Sequence, residues 1–317
     1  MFGKKKPAGA TVAIIDVENG SVAAALAELS RRDAPRLFAE TRVPLPVPRT
    51  HSAQSLARAA DRAIEEALVH VSEVSSRMRA HEAHAGPASI AHVAGFFSVP
   101  WASLNLDGKH DLTPFMQDAV RNAARATLGE RKMSFHPFGT AALHGAASLF
   151  QADMPDLVCI VSGETTELLL APGGMLKARA TLPFGLNTLL RTLMSHGGVS
   201  ATEARSYVNL GAPILHALGE ASAHAAAHFA AEFADAARQL MRAAPARGVL
   251  VIAPAPAEAW FARALEGDEA LSSIFPEGST VRTLRASHLQ PYFSGHGPRP
   301  DLPLMLEALF VDKKFGA

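Results

Sequence analysis

Hydroxyl side chains surround a glycine turn near the middle of the sequence, directly after a run of apolar residues. The apolar run at 158–161 predicts a buried strand, and Ser162-Gly163 and Thr165-Thr166 form the turn that follows. Glycine lets a backbone approach a ligand closely, and successive backbone N–H groups with nearby hydroxyls bind phosphate oxygens. The pattern is therefore typical of a turn that holds a phosphate group.

The strand before this turn carries no acidic side chain that could hold a metal ion beside the phosphates. A magnesium triphosphate needs oxygen ligands, and an aliphatic side chain supplies none. Two interpretations stay open on this evidence. The turn belongs either to a working nucleotide site or to the shape of one that has lost its chemistry.

A second turn of this kind lies near the N-terminus. Residues 12–15 are apolar, Asp16 follows them, and Asn19-Gly20 is a strong signal for a tight hairpin. The returning segment 21–29 is rich in alanine, so a helix competes with the predicted strand there. Strand–hairpin–strand units thus open both halves of the chain, as two related lobes would require.

Other residues suggest chemistry more weakly. His224 and His228 lie four apart with His216 nearby, which suits metal ligation, but no glutamate follows the first histidine as in a zinc protease, and a helix surface is favoured. The serines lack the G-x-S-x-G pattern of a hydrolase nucleophile. Trp101 is either an exposed recognition aromatic or, as we favour, a packing residue at the edge of a small core.

Composition sets limits on the class of protein. The 317 residues are 48% hydrophobic and 19% charged, which fits a globular protein with more than one core. Thirty basic and thirty acidic residues cancel, so nothing indicates a nucleic-acid partner. Cys159 is the one cysteine, which excludes an internal disulfide, suits a reducing cytosol and is read as a small buried hydrophobe.

No apolar run approaches the roughly 18 residues that span a bilayer. The N-terminus has lysines at 4–6 but no apolar core behind them, so it does not resemble a secretory signal. Such a basic tip assists docking at an anionic membrane surface without anchoring the chain.

The pattern along the chain predicts an α/β protein of two lobes. Helical periodicity covers about 52–79 and 220–244, Thr113 is expected to cap a helix, and Ser200 to Glu203 forms a capping box. The domains are predicted as follows: a first lobe core at 1–35 and 108–157, a small inserted α/β subdomain at 36–107, a second lobe core at 158–195 and 246–317, and a helical subdomain of the second lobe at 196–245.

Longer motifs resemble the actin-like ATPase superfamily, and within it the FtsA and PilM families. The most specific stretch is "SGETTELLLAPGGMLKARATLPFGLNTLLRTL" followed by "VSATEARSYV"; the opening "MFGKKK" with "VAIIDVENGSVAAALAEL" resembles a PilM start, and "PFGTAALHGAASL" resembles the helix that links the lobes. The resemblance implies a two-lobed actin-like (ribonuclease H-like) fold. It is strong around 158–207 and weak beyond about 255.

The resemblance also assigns residues. The family's acid at the head of the second phosphate loop falls on Ile160, its acid at the connecting helix falls near His136, and its paired adenosine-site glycines fall on 253–255. These losses imply a degenerate site, because phosphoryl transfer depends on charge stabilisation and proline fills the space that glycine leaves open. The vestigial phosphate loops would comprise Asp16, Asn19, Gly20, Ser21, Gly163, Thr165 and Thr166.

The function that the resemblance implies is that of a PilM-like cytoplasmic scaffold of type IV pilus assembly, at the inner face of the cytoplasmic membrane. It would bind the cytoplasmic peptide of a PilN-like membrane partner through Phe96, Phe97 and Trp101, with membrane contact indirect and self-association an option. Its ATPase would be lost or weak, with ATP and magnesium bound weakly or not at all and no metal site. The alternatives are an FtsA-like cell-division protein that tethers the division ring, and an active actin-fold ATPase or small-molecule kinase.

Overall fold

The computed structural model describes residues 10–30, 33–47, 52–81, 90–106, 109–210, 218–267, 274–275, 278–297 and 300–315. The lysines at 4–6 and His216 lie outside these residues. Two five-stranded sheets form the framework, each with helices on its outer face, and two further helices lie between the sheets.

The first sheet has the strand order β3-β2-β1-β4-β7. Strands β1 to β3 form an antiparallel meander, and β4 and β7 continue it parallel to β1. The alanine-rich β2 is a strand and not a helix, and it is buried on both faces, where small side chains let helices pack close on either side. The strands are β1 (Ala10–Val17), β2 (Ser21–Leu29), β3 (Arg36–Pro44), β4 (Ile90–Phe97) and β7 (Lys132–Pro137).

Two helices, α1 (Ala53–His81) and α2 (Pro114–Leu128), cover the outer face of this sheet with their apolar stripes. A small hairpin, β5 (Ala102–Leu104) and β6 (His110–Leu112), precedes α2. Thr113 stands at the N-cap position of α2 as predicted, although its side chain makes no capping hydrogen bond.

The second sheet has the order β10-β9-β8-β11-β12 and is covered on its outer face by helices α4 to α7. The predicted capping box is confirmed: Ser200 N donates to Glu203 Oε2 at 2.8 Å, and Glu203 N donates to Ser200 Oγ at 3.3 Å. The elements are β8 (Leu157–Val161), β9 (Thr166–Leu170), β10 (Ala178–Leu182), α4 (Leu186–Gly197), α5 (Ala201–Leu210), α6 (Gly219–Leu240), β11 (Val249–Ile252), α7 (Glu258–Glu266) and β12 (Val281–Thr283).

Between the two sheets lie α3 (Phe138–Phe150) and α9 (Leu302–Phe315), with the short α8 (Ala286–Leu289) before α9. Their apolar residues join the inner faces of both sheets in one buried cluster. The C-terminal helix α9 packs on α3 and on β1 and β2 of the first sheet, although its segment was expected in the second lobe core. None of the described helices is long and apolar enough to cross a membrane.

The expected inserted subdomain at 36–107 does not stand apart as a module. Its strands β3 and β4 belong to the first sheet, with β4 paired between β1 and β7, and its helix α1 covers that sheet. Of its described elements, only β5 lies outside this framework, in the hairpin with β6. Pairing of β4 between distant strands is non-local and leaves no local signal in the sequence.

Candidate functional site

The two predicted phosphate turns meet where the lobes face each other. Gly20, in the β1–β2 turn, lies directly against Gly163, in the β8–β9 turn, and a Cβ atom on either glycine would overlap the Cα of the other. Both glycines are therefore required for a close approach, as predicted. The approaching group is the backbone of the opposite turn and not a ligand.

Asn19 holds the two turns together. Its Nδ2 donates to Val99 O and to Thr165 Oγ1, both at 2.8 Å. Its Oδ1 accepts from Ser162 Oγ at 3.1 Å and from Glu164 N at 2.6 Å. An amide side chain can make four hydrogen bonds, and the fully buried Asn19 makes all four within the protein.

The remaining hydroxyls of the turns also have partners inside the protein. Thr166 Oγ1 donates to Phe184 O at 2.6 Å, and Ser162 Oγ contacts Thr165 O at 2.9 Å. Ser21 Oγ donates to the Glu18 carboxylate and accepts from Arg42 Nη1, at 2.6 Å in the second case. The groups that would hold phosphate are thus occupied by one another.

A bulge in β3 places Arg42 beside the first turn. The β2–β3 register shifts between Ala24 and Leu26, and Ala39, in the bulged segment, has φ = 56°. An extra residue reverses the face on which later side chains lie. Arg42 therefore pairs with Ala23 and faces α9, on the same side as Asp16, which also pairs with Ala23. The small alanine between them leaves room for the guanidinium.

Arg42 binds three carboxylates. It contacts Asp16 Oδ2 at 2.8 Å and Glu18 Oε1 at 3.0 Å. Its Nε and Nη2 bind the two oxygens of Asp301 at 2.6 and 2.8 Å, the bidentate geometry that suits a guanidinium. Asp301 also accepts from Leu304 N at 3.1 Å, so the same carboxylate caps α9.

Glu307 adds a fourth acid to this group. It is fully buried on α9, and neither of its oxygens has a donor among the described residues. Burial, with the Asp16 carboxyl near it, raises the pKa of Glu307 well above its usual value. Burial likewise raises the pKa of Glu18 to about 7, against the opposing effect of Arg42. We call Arg42, Asp16, Glu18, Asp301 and Glu307 the arginine cluster.

The space between the turns and this cluster is nearly filled. A cavity of about 10 Å³ remains, too small for more than one water. Its walls include Asp16, Ile160 and Pro254. A triphosphate with its metal ion does not fit there, and the Arg42 guanidinium supplies the positive charge that a metal would bring to these acids.

An open groove of about 470 Å³ lies beside the turns, a size typical of small-ligand sites. Leu186 and Leu190 of α4 and Val208 of α5 form its apolar wall. Arg42 and Arg205 line its polar side. The groove could hold a flat apolar group. On the side of the turns it is closed by the contact between Gly20 and Gly163.

No protein-family model matches the sequence, and no curated protein matches it. Solved structures do resemble it. One is the ethanolamine utilization protein EutJ from Carboxydothermus hydrogenoformans, with 11% identity, a TM-score of 0.57, and coverage of 88% of this chain and 86% of that chain. Another is a chain of a PilM-PilN type IV pilus biogenesis complex, with 12% identity, a TM-score of 0.62, and coverage of 97% of this chain and 96% of that chain. The chain has the two-lobed actin-like fold.

The actin-like fold confirms the expected architecture, and the sites carried over from the resemblance can be placed on it. Asn19, Gly20, Gly163 and Thr165 come together as expected of the two phosphate turns. Ile160 is buried against the small cavity. His136 lies two strands away from Asp16 and level with it, because Phe96 of β4 pairs with both residues.

The three residues predicted to bind a partner are buried. Phe96 and Phe97 are at most 1% exposed, on opposite faces of β4, and Trp101 is 6% exposed. Neighbouring residues of a strand face opposite sides of the sheet, so both phenylalanines enter cores. The interpretation of Trp101 as a packing residue is confirmed, and none of the three presents a side chain to a partner.

The remaining candidates agree with the simpler interpretations. His224 and His228 are exposed on α6, where their neighbours are the ring of His196 and the carboxylate of Glu232. Among the described residues, no group of three potential ligands could hold a metal ion. Cys159 is fully buried, which raises the pKa of its thiol far above the usual value.

Sequence reasoning missed the arginine cluster, although two of its members left signals. Asp301 directly precedes "LP", a helix-start pattern, and Glu307 is a lone acid within the apolar "LMLEALF". An isolated acid in an apolar helix indicates a buried polar contact. Arg42 left none, because its face depends on the bulge.

Proposed function

We propose that this chain is a non-hydrolysing scaffold with the actin-like fold, PilM-like in role, which binds the cytoplasmic peptide of a membrane protein. The observation that carries the proposal is the direct contact between Gly20 and Gly163, because it closes the place where an ATPase of this fold would need to hold phosphate. The protein would keep the two-lobed framework for its surfaces.

The arginine cluster supports the same conclusion. Phosphoryl transfer needs a metal ion and a positioned water at the transferred phosphate. Asp16 is the acid of the first turn, and its carboxylate is bound to Arg42 at 2.8 Å. The aliphatic Ile160 stands on the other lobe. The other acids of the two turns are also paired, Glu18 with Arg42 and Glu164 with Arg191.

The partner assignment is supported by the likeness to a chain of the PilM-PilN complex, which spans almost the whole of both chains. The partner would be the short cytoplasmic segment of a single-pass inner-membrane pilus protein, PilN-like in kind. The scaffold would then work at the inner face of the cytoplasmic membrane, with its membrane contact made through that partner. Because Phe96, Phe97 and Trp101 are buried, the peptide would bind elsewhere.

The first test is calorimetric titration of the full chain with ATP, with and without magnesium, and with adenosine in a separate arm. We expect no magnesium-dependent binding of ATP up to millimolar concentration. Adenosine binding without any preference for ATP would locate a base in the open groove and leave the proposal intact. Micromolar, magnesium-dependent ATP binding with turnover would overturn it.

The second test is co-purification of the chain with the N-terminal cytoplasmic peptide of the host's single-pass pilus protein. A scrambled peptide of the same composition is the control. We expect a stable complex with the native sequence alone. Equal recovery of both peptides, or of neither, would remove the partner assignment while leaving the absence of hydrolysis to the nucleotide test.

A second candidate, an ATPase or small-molecule kinase, is favoured by one observation. The groove lined by Leu186, Leu190 and Val208 is large enough for a nucleoside. Separation of the turns would have to break the four hydrogen bonds of Asn19 before phosphates could enter. The nucleotide titration decides between the two functions.

A further inference from the structure

A second group of ionisable side chains lies on the first lobe, away from the interlobe turns. His92 of β4, His110 of β6, Ser134 and His136 of β7, and Lys314 at the end of α9 meet where α9 crosses the sheet. We call these five residues the imidazole cluster. His136 is buried, Ser134 and His92 are half-buried, and His110 and Lys314 are exposed.

Short contacts connect the members of the imidazole cluster. Ser134 Oγ lies 2.8 Å from His92 Nε2 and 3.0 Å from His136 Nε2. Lys314 Nζ lies 3.4 Å from the same nitrogen of His136. An ammonium can only donate, so His136 Nε2 accepts and the ring is neutral. Ser134 has one proton to donate, so it links a donating His92 to an accepting His136.

Lysines on two elements act on the histidines of this cluster. Lys132 acts on His92 from β7, Lys314 from α9 acts on both His92 and His136, and Lys313 acts on His144 of α3. Two acids also lie near the cluster: Asp111, beside His110, accepts a hydrogen bond from Asn105, and Asp312 on α9 has a buried oxygen without a hydrogen-bond partner among the described residues. Burial, together with these cations, lowers the pKa of His136 to about 4 and that of His92 below its usual value.

We propose that the imidazole cluster is a binding site for a phosphate group. Its potential donors are one hydroxyl, two imidazole N–H groups and one ammonium, and they converge on a region only a few ångströms across. A tetrahedral phosphate offers three or four acceptor oxygens and up to two negative charges, which matches this set better than a two-oxygen carboxylate does.

Binding changes the role of His136. Without a ligand, Ser134 and Lys314 share the single lone pair of His136 Nε2, at 3.0 and 3.4 Å, so one of the two donors is poorly satisfied. A phosphate oxygen at this point would accept from the Lys314 ammonium, and His136 would take up a proton, from solvent or from the monoanionic phosphate itself, to become a donor. Free phosphate gains the same proton near neutral pH, so the affinity is expected to change little with pH below about 7.

A metal ion does not fit the same residues. The described histidines form no three-ligand geometry that could hold one. The Lys314 ammonium, 3.4 Å from His136, would repel a cation. Zinc and phosphate binding are thus opposite outcomes for the same side chains.

The test follows the ring protons of His92 and His136 by NMR while inorganic phosphate is added to the full chain at constant ionic strength. We expect saturable shifts of both rings at pH ~5.5 and at pH ~7.5, with affinities within about threefold of each other, because free phosphate already carries the shared proton at the lower pH. Lys314→Ala is expected to weaken binding about tenfold, and Ser134→Ala several-fold. Lys313→Ala removes the same charge from the same exposed turn and is expected to change binding less than about twofold.

Vesicles of phosphatidylcholine with and without phosphatidic acid identify the source of the phosphate. Binding to phosphatidic acid that is lost in Lys314→Ala and kept in Lys313→Ala indicates a lipid headgroup. Binding of inorganic phosphate alone indicates a free ligand, and both results support the site. Equal loss in the two lysine variants, absence of shifts at His92 and His136, or tighter binding of zinc than of phosphate would overturn the proposal.

Discussion

The arginine cluster and the imidazole cluster both gather ionisable side chains against α9, but they balance charge differently. Around Arg42, carboxyls from the first turn and from the start of α9 bind one guanidinium, and burial raises the pKa values of Glu18 and Glu307. Around Ser134, the ionisable groups are histidines and a lysine, and burial with the neighbouring lysines lowers the pKa values of His136 and His92. In the arginine cluster, acids and a base of the chain pair with each other. The imidazole cluster is the one for which we propose a bound anion.

The two places differ in whether their charged groups remain available to a ligand. A site for a phosphate and its metal must keep charged groups available to the ligand. At the interlobe turns those groups bind Arg42 and Asn19, and the lobes touch. The groups at the interlobe turns thus bind one another, whereas the donors near Lys314 form the site that we propose for a phosphate group.

The largest effect is expected when the guanidinium of Arg42, which binds the acids of the arginine cluster, is removed. Arg42→Met keeps most of the side-chain volume but leaves Asp16, Glu18 and Asp301 without their cation. Because these carboxyls are largely buried, we expect the free energy of unfolding to fall by about 3–5 kcal/mol, the usual cost of removing one partner of a buried ion pair. Urea denaturation at neutral pH measures it.

The matched control is Arg238→Met, which removes an exposed ion pair with Asp235 that is also 2.8 Å long. Exposed pairs contribute little, so a loss below about 1 kcal/mol is expected. Similar small losses in the two variants would mean that Arg42 does not hold the acids together.

The free energy of unfolding is expected to change with pH in opposite directions for Glu18 of the arginine cluster and His136 of the imidazole cluster. Between pH 4.5 and about 7, the unfolded chain has lost the Glu18 proton and the folded chain keeps it, so stability falls as pH rises. Between pH 6.5 and about 4, the unfolded chain has gained the His136 proton and the folded chain has not, so stability falls as pH drops. Each contributes at most about 3 kcal/mol, and the two oppose each other where their windows overlap.

Urea denaturation across this pH range should resolve the two contributions. Glu18→Gln is expected to reduce the loss on the alkaline side without abolishing it, because burial also raises the pKa of Glu167 to about 7. His136→Asn is expected to reduce the acid-side loss and leave the smaller shares of His92 and His144, whose pKa values burial also lowers. An unchanged profile in either variant would show that its group has the same pKa in the folded and unfolded chains.

Local signals predicted much of the framework. The Asn19-Gly20 and Ser162–Thr166 turns, the strand at 158–161 and the capping box at Ser200 each depend on a few neighbouring residues, and each is present. The order of these elements along the chain, with the longer motifs, was enough to indicate the actin-like fold. Their chemistry depends on local residue types, which a sequence shows directly.

The contacts that the two turns make could not be predicted from the sequence in the same way. Gly20 and Gly163 are about 140 residues apart in the sequence and make their contact between the lobes. No local pattern distinguishes a turn that binds phosphate from a turn that packs on another turn. Burial of Phe96 and Phe97 depends on the non-local position of β4 at the centre of the first sheet. The face on which Arg42 lies depends on a single extra residue in β3.

The bulge at Ala39 in β3 allows the test with the smallest expected effect, which asks whether the bulge places Arg42 on the α9 face. Ala39 holds φ = 56°, a conformation that glycine adopts at no steric cost, so Ala39→Gly is expected to stabilise the fold by about 0.5–1 kcal/mol. Ala91→Gly, at an exposed strand position without positive φ, is the control and should destabilise by about the same amount. If both glycines destabilised the protein equally, residue 39 would not be held in the bulge, and the placement of Arg42 on the α9 face would lose its basis.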